Sequence, residues 1–273
     1  MSSQDLTTLA AVKSWLGLPP GASPNDATLS ALITAVSRAI YAALSRPALL
    51  PQTYTETLDA ESRRVFLRHW PVLSVNSVTL DGRAVPAAAV PGAAASFGYL
   101  LKPGDSAPPG ASQALDLRGW RVRRERQNLV VNYLAGYAIQ AEAQTAPSAA
   151  SWTLAALAPY GPWASDRGVV YAASGIALAS VAASPATGQY SVSTGIYTFA
   201  PGDAGKALSI SYGFIPQDIA QAALELAAER FRAADRIGLR SKSLGGQETI
   251  SYDSSAISAP ILALLQPYRR VAV

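Results

Sequence analysis

The sequence predicts an α+β protein, a helical body with an antiparallel β-rich region and an inserted small β-sandwich or barrel. Three observations lead there. Two apolar stripes at helical spacing open the chain, runs of β-branched and aromatic residues between glycine turns fill its middle, and an alanine-rich helical stripe returns near its end. At about 150 residues per domain, the 273 residues suggest roughly two domains.

Residues 5–17 place Leu6, Leu9, Val12 and Leu16 on one helical face, with Gly17 positioned to cap it. Pro19-Pro20-Gly21 breaks that helix. Ser23, Pro24 and Asp26 then form a capping-box-like start for a longer helix whose stripe is Leu29, Ile33, Val36, Ile40 and Leu44, with Pro47 as its stop. Strands follow at 53–58, 65–67 and 75–80, the last running into the turn signal Asp81-Gly82. Ala84 to Gly110 reads as a connection, and strands resume at 114–117, 120–123 and 128–133. The polar, alanine-rich 138–151 reads as a linker. A second strand-rich block covers 169–171, 176–178, 190–192, 196–199 and 208–212, with turns at Ser174-Gly175, Thr187-Gly188, Thr194-Gly195 and Pro201-Gly202-Asp203. Pro216 and Asp218 open a helix with the stripe Ala220, Leu224, Ala227, Phe231 and Ala234. After a flexible 241–246 and a strand at 248–252, Ile257, Ile261, Leu264 and Tyr268 share one face of a terminal helix.

Composition removes much enzymology. There is no cysteine and His69 is the single histidine, so thiol nucleophiles, disulfides and multi-histidine metal sites are excluded. Arg68-His69-Trp70-Pro71 lies in a strand-like run with no nucleophile or carboxylate arranged beside it, and His69 reads as structural. Gly202 to Ala207 has the wrong glycine spacing for a phosphate loop, and Ala207 stands where Ser or Thr would bind magnesium. Scattered carboxylates offer no metal or glycosidase pair. The expectation is a non-enzyme without cofactors. The first residues lack a basic stretch followed by an apolar one, and no uninterrupted apolar span of about twenty residues occurs, so a soluble chain without membrane contact is expected.

Charge is mildly basic: 22 basic residues, 18 of them arginine, against 18 acidic, with pI ≈ 9.4. Five arginines, Arg118, Arg121, Arg123, Arg124 and Arg126, fall within nine positions. They suit either sequence-independent contact with DNA phosphates or a solvated or subunit-facing edge. The carboxy-terminal stretch, joined through Gly245-Gly246, reads as an arm with Ile257, Ile261, Leu264, Tyr268, Arg269 and Arg270 available to a partner, or as a helix folded back on its own domain.

An internal echo sets the domain boundaries. Leu129-Val130-Val131-Asn132-Tyr133 with Gly136-Tyr137 matches Leu208-Ser209-Ile210-Ser211-Tyr212 with Gly213-Phe214. The expected organisation is one body at 1–137 and 212–273, with 138–211 inserted as a β module.

The order of motifs resembles a known family. Lys13-Ser14-Trp15-Leu16, Ser45-Arg46-Pro47, Pro71-Val72 before the 75–80 strand, Val131-Asn132-Tyr133 with Ala135-Gly136-Tyr137, Pro216-Gln217-Asp218-Ile219, Gly246 to Tyr252 and Leu265 to Arg270 together resemble the head-tail connector (adaptor) proteins of tailed bacteriophages. The resemblance covers about 1–137 and 212–273. It implies a structural virion protein: a ring, typically of twelve copies, under the portal, extending the DNA channel toward a stopper or tail protein. It also implies assembly in the host cytoplasm and a final place in the virion neck. The alternative is a host-surface or carbohydrate-binding virion protein acting through the β insert, with Trp152, Tyr160, Trp163 and Tyr171 as aromatic platforms.

Overall fold

The computed structural model describes residues 4–89, 97–105, 107–122, 126–149, 151–234, 241–244, 248–251 and 257–270. The protein is α+β and divides into two units, one of residues 1–47 with 217–273 and one of residues 48–216.

The helical unit begins with α1 (Leu9–Leu16), where the Thr8 side chain accepts the Ala11 N–H and Gly17 closes the end at φ 72°. In α2 (Asp26–Leu44), the Ser23 N–H and hydroxyl both donate to the Asp26 carboxylate, at 3.1 and 2.7 Å. All five residues of the expected stripe, Leu29 to Leu44, are buried. At 19 residues and a mean hydropathy of 1.5, α2 is long and apolar enough to cross a membrane, and that apolar stripe packs within the unit. In α3 (Gln217–Arg232) the buried face is Ile219, Ala222, Ala223, Leu226 and Ala227. Of the stripe expected from Ala220 to Ala234, Ala220 and Ala227 are buried, but Leu224 and Phe231 are half-buried and Ala234 is exposed. Alanines occur on every side of this helix, so they cannot fix its rotation. Ile219 and Leu226, seven residues apart, carry more apolar area and do. A two-stranded hairpin, Ser241–Leu244 with Glu248–Ser251, precedes α4 (Ala259–Leu265) and a 3-10 turn at Gln266–Tyr268.

The β unit contains two lobes. The first has β1 (Gln52–Leu58), β2 (Arg64–Phe66), β3 (Val72–Leu80), β4 (Arg83–Val85), β5 (Gly98–Leu101), β6 (Ala114–Arg118) and β7 (Leu129–Ala135). They form sheets of order β1-β7-β3-β4 and β2-β6-β5 around a core that includes Leu58, Leu67, Val78, Leu115, Leu129, Val131 and Tyr133. The stretch expected as a connection, 84–110, therefore contributes two strands. The strand expected at 120–123 is absent over Trp120–Val122, because Gly119 at φ 73° turns the chain and Trp120 leaves the sheet to pack on Phe97, 5.2 Å away.

The second lobe has β8 (Ala138–Thr145), β9 (Thr153–Ala155), β10 (Trp163–Tyr171), β11 (Ala179–Ser180), β12 (Gln189–Ser193), β13 (Ile196–Phe199) and β14 (Ala207–Phe214). Sheets β8-β14-β10 and β9-β13-β12-β11 share a core of Val169, Leu178, Tyr190, Tyr197, Phe199, Leu208, Ile210 and Tyr212, and neither closes into a barrel. Most of the expected linker is thus strand β8. Its Ala, Gln and Glu content has little strand preference, and its pairing with β14 supplies the order instead. The run at 176–178 makes only an isolated bridge, Ala177 to Val170.

The second lobe repeats most of the first: β8, β9, β10, β12, β13 and β14 answer β1, β2, β3, β5, β6 and β7, whereas β4 is answered only by the Ala177–Val170 bridge and β11 only by the Ala87–Tyr99 bridge. Strand β7 lies between β1 and β3, as β14 lies between β8 and β10. The paired positions coincide: Val75–Tyr133, Ser77–Asn132 and Val78–Val131 in one lobe correspond to Asp166–Tyr212, Gly168–Ser211 and Val169–Ile210 in the other, with bulges at the same two steps. The outer pairs β2–β6 and β9–β13 correspond likewise, Phe66 facing Ala114 and Ala155 facing Ile196. Tyr133 and Tyr212 are therefore equivalent, whereas the Gly-aromatic exits that follow them are not: Leu134 occupies the place of Gly213.

Candidate functional site

Of the arginine cluster, Arg118 ends β6 half-buried, and Arg121 and Arg126 are exposed. Arg123 and Arg124 lie outside the described residues. Trp120 and Val122 pack on the first lobe's core, which turns the intervening Arg121 to solvent. Nearby, Arg64 donates to Asp116 at 2.9 Å, and this hydrogen bond holds the Asp116 carboxyl below its ordinary range. The two lobes differ sharply in charge: 17 of residues 52–137 are Asp, Glu, Lys or Arg, but only five of residues 138–215.

The carboxy-terminal residues are placed differently from a free arm. Ile261 and Tyr268 are buried within their own helical unit together with Leu265. The Tyr268 hydroxyl donates to Asp218 at 2.9 Å, Arg46 Nε donates to the Tyr268 carbonyl at 2.7 Å, and the Arg270 N–H donates to the Leu44 carbonyl at 2.9 Å. Ile257 and Leu264 are half-buried, Arg269 is exposed and Arg270 half-buried, while the Gly245-Gly246 joint lies outside the described residues. Two of the expected partner anchors thus hold the segment to α2 and α3. A shallow cavity of about 460 Å³ beside it is lined by Arg38, Tyr41, Ser45, Arg46 and Arg270, a cationic surface suited to carboxylates or phosphates.

The buried polar groups are built from tyrosines on carboxylates. In the first lobe the Tyr133 hydroxyl donates to Glu56 at 2.6 Å and accepts the His69 N–H at 3.1 Å. The His69 ring stacks on Tyr54 at 3.7 Å, its Nε2 3.5 Å from Glu56, in keeping with a structural role. In the second lobe Tyr212 donates to Glu142, Tyr190 and Tyr197 to Asp166 at 2.6 and 3.1 Å, and Tyr171 to Asp203 at 2.6 Å. Burial is the first cause that pushes Tyr133, Tyr190, Tyr197 and Tyr212 above the ordinary phenol value, and the carboxylates add to it. Asp203 is itself wholly buried. Burial works to raise its pKa, but hydrogen bonds from Lys206 and Tyr171 outweigh that and leave it lowered. The glycine-rich 202–207 segment is accordingly a turn closed by Lys206 on Asp203 at 2.8 Å. No group of three or more metal-ligating side chains occurs among the described residues.

Between the lobes lies a cleft of about 420 Å³ lined by Tyr137, Tyr160 and Phe214, with Gln113 and Gln140 at its walls. Sequence reasoning missed this cleft, because the linker reading of 138–151 hid the strand that carries Gln140.

No protein-family model matches this chain, and no curated protein matches it. Among solved structures, it is similar to a chain from the neck of an empty gene transfer agent particle computed with C6 symmetry, at 14% identity and a TM-score of 0.36, covering 100% of this chain and 94% of that one. It is also similar to a chain from the virion of the native gene transfer agent particle, at 14% identity and a TM-score of 0.42, covering 98% of this chain and 91% of that one.

Proposed function

We propose that this chain is a structural protein of a tailed phage-like particle, a head-tail adaptor that forms a ring under the portal, extends the DNA channel and receives the stopper or tail. One observation carries the reading. The distant stretches on which the family resemblance rests, Lys13 to Leu16, Ser45 to Pro47, Gln217 to Ile219 and Leu265 to Arg270, come together in a single helical unit. The stretches around 75–80 and 131–135 form paired strands of the first lobe. Double-stranded DNA in the lumen would meet Arg121 and Arg126 through its phosphates, without sequence preference. Ile257, Leu264, Arg269 and Arg270 retain surface for portal docking. Residues 138–211 act as a separable module, whose core reaches one residue further, to Tyr212 on β14. Electron microscopy of the purified protein, alone and mixed with portal, tests the reading. Rings, of twelve copies on the family pattern, are expected; a monomer that ignores portal overturns it.

The interlobe cleft favours a second reading, in which the exposed Tyr160 ring and Gln140 amide at its mouth hold a neutral sugar. Glycan binding that is lost in Tyr160→Ala would establish it.

A further inference from the structure

We propose that the cationic cavity at the carboxy-terminal end of α2 binds an acidic peptide segment of another protein, with Arg38, Arg46 and Arg270 taking its carboxylates. The inference goes beyond the adaptor reading and holds whether or not the chain forms a ring.

The cavity, about 460 Å³, lies wholly within the helical unit. Three arginines line it and no acidic residue does. Asp5, next to the lining residue Gln4, accepts the Thr34 hydroxyl at 3.0 Å. Basic residues at the carboxy-terminal end of a helix ordinarily answer its exposed carbonyls. Backbone donors do so here: the Arg46, Ser45 and Arg270 N–H groups donate to the Tyr41, Ala42 and Leu44 carbonyls at 3.2, 3.1 and 2.9 Å. The arginine heads are therefore not required as caps. Arg46 is 7% exposed and its Nε is held on the Tyr268 carbonyl at 2.7 Å, which fixes the guanidinium before any ligand arrives. Arg38 is exposed and Arg270 half-buried, and neither forms an ion pair among the described residues. Three like charges gathered without a counter-charge in the wall repel one another. An anion that enters relieves that repulsion and forms charge-assisted hydrogen bonds.

Shape and the charges of this chain decide which anion. A concave site walled by Tyr41, Ala42 and Pro47 admits a carboxylate side chain with its apolar stem, whereas a DNA duplex carries its phosphates on a convex surface. Among the described residues, the exposed carboxylates of this chain are poor occupants: Asp59 and Glu61 precede Arg63, Asp81 precedes Arg83, Asp105 follows Lys102, Glu229 precedes Arg230, and Asp218 already accepts from Tyr268. Each brings a base with it or is already hydrogen-bonded, and a base set against three arginines costs affinity. The acidic segment therefore belongs to a different protein.

The test titrates fluorescein-labelled hexaglutamate with the full-length protein and follows anisotropy, with hexaglutamine and a short DNA duplex as rival probes. Hexaglutamate should bind and hexaglutamine should not. Arg38→Gln with Arg270→Gln should weaken hexaglutamate binding about tenfold with circular dichroism unchanged, whereas Arg121→Gln with Arg126→Gln, which removes the same charge from the first lobe, should change it by less than about twofold. Equal weakening by the two double variants reduces the effect to net charge and overturns the site. A duplex that outcompetes hexaglutamate and is released by Arg38→Gln with Arg270→Gln overturns the peptide in favour of DNA phosphates. Self-association in sedimentation that the same variant abolishes overturns it in favour of a second copy, and absence of hexaglutamate binding overturns it altogether. A monomer that ignores portal overturns the adaptor reading and leaves this site standing.

Discussion

Replacing Tyr133 by Phe should cost the first lobe far more than Tyr212→Phe costs the second, although the two tyrosines occupy the same place in the repeat. Tyr133 is fully buried, and its hydroxyl serves a Glu56 carboxylate that is 7% exposed and the His69 N–H. Removing it deletes a hydrogen bond to a charged group and takes the phenol acceptor from the His69 N–H, together about 3 kcal/mol. Among the described residues, Glu56 then keeps the Arg68 N–H at 3.3 Å and the more distant His69 ring. Glu142, by contrast, is half-buried and keeps the Leu157 N–H at 3.1 Å and the Gln144 amide at 2.9 Å, so water can replace the phenol and the loss should be about 1 kcal/mol. Native-state hydrogen exchange on peptides from β7 and β14 reads each lobe separately, and β7 protection should fall roughly a hundredfold in Tyr133→Phe. Adding Glu56→Gln should recover part of that loss, since a neutral amide is easier to leave underpaired. Equal losses in the two lobes, or a larger one in the second, would refute burial of the carboxylate as the deciding factor.

Gly136→Ala should destabilise the first lobe by more than about 3 kcal/mol in urea unfolding, because at φ 146° a Cβ would stand 2.5 Å from the Pro51 backbone; Gly82→Ala, at φ 74° in open space, should cost about 1. Hydrogen bonds from Lys13 and then Ser23 lower the Asp26 pKa from 3.8 to about 2. Its folded value lies below its unfolded one, so the stability it adds is present above about pH 4 and is lost as pH falls toward 2. Circular dichroism should show acid loosening of α1 and α2 in that window, with a flatter profile for Asp26→Asn. Arg121→Glu with Arg126→Glu should reduce genome retention in assembled particles and flatten its salt dependence without preventing assembly; unchanged retention reduces the cluster to a solvated edge. Replacing 138–211 by a Gly-Ser linker should leave helical circular dichroism intact, and loss of soluble helical protein would show the module is not separable.

The legible parts of the sequence were those where side-chain size set the phase. Leu29, Ile33, Val36, Ile40 and Leu44 face the core as their spacing says. The alanines of α3 fit several faces equally, so Ala220 and Ala227 are buried as expected while Leu224 and Phe231 lie off the buried face. The duplication was visible only around Tyr133 and Tyr212, because equivalent positions share burial more than identity: Val131 answers Ile210 and Leu129 answers Leu208, but Asn132 answers Ser211 and Thr79 answers Val170. One further signal was present, Glu56 ahead of Tyr133 and Glu142 ahead of Tyr212, each on the strand beside its tyrosine. Tyr268 left two readings open in sequence, an anchor for a partner or a helix folded back, and its ring fills its own unit.

The two-residue step between β7 and β8 has a kinetic consequence. Strand β7 is the central strand of its lobe and the last to be synthesised, so β1 and β3 wait for it across some seventy and fifty residues of chain. Strand β8 begins almost at once, at the separation typical of a tight hairpin, and a local β7–β8 pairing would close orders of magnitude sooner than the long-range one. The wrong hairpin needs left-handed conformations at 136 and 137. Instead Gly136 sits at φ 146°, and its N–H and that of Tyr137 are held by the Pro71 and Leu49 carbonyls, at 2.9 and 2.8 Å, so the chain is steered into a new sheet. The choice between a productive pair of lobes and a trapped local hairpin is therefore concentrated at this junction, and an Asn-Gly pair placed at 136–137 should divert nascent chains into the trap even where the finished protein could tolerate it.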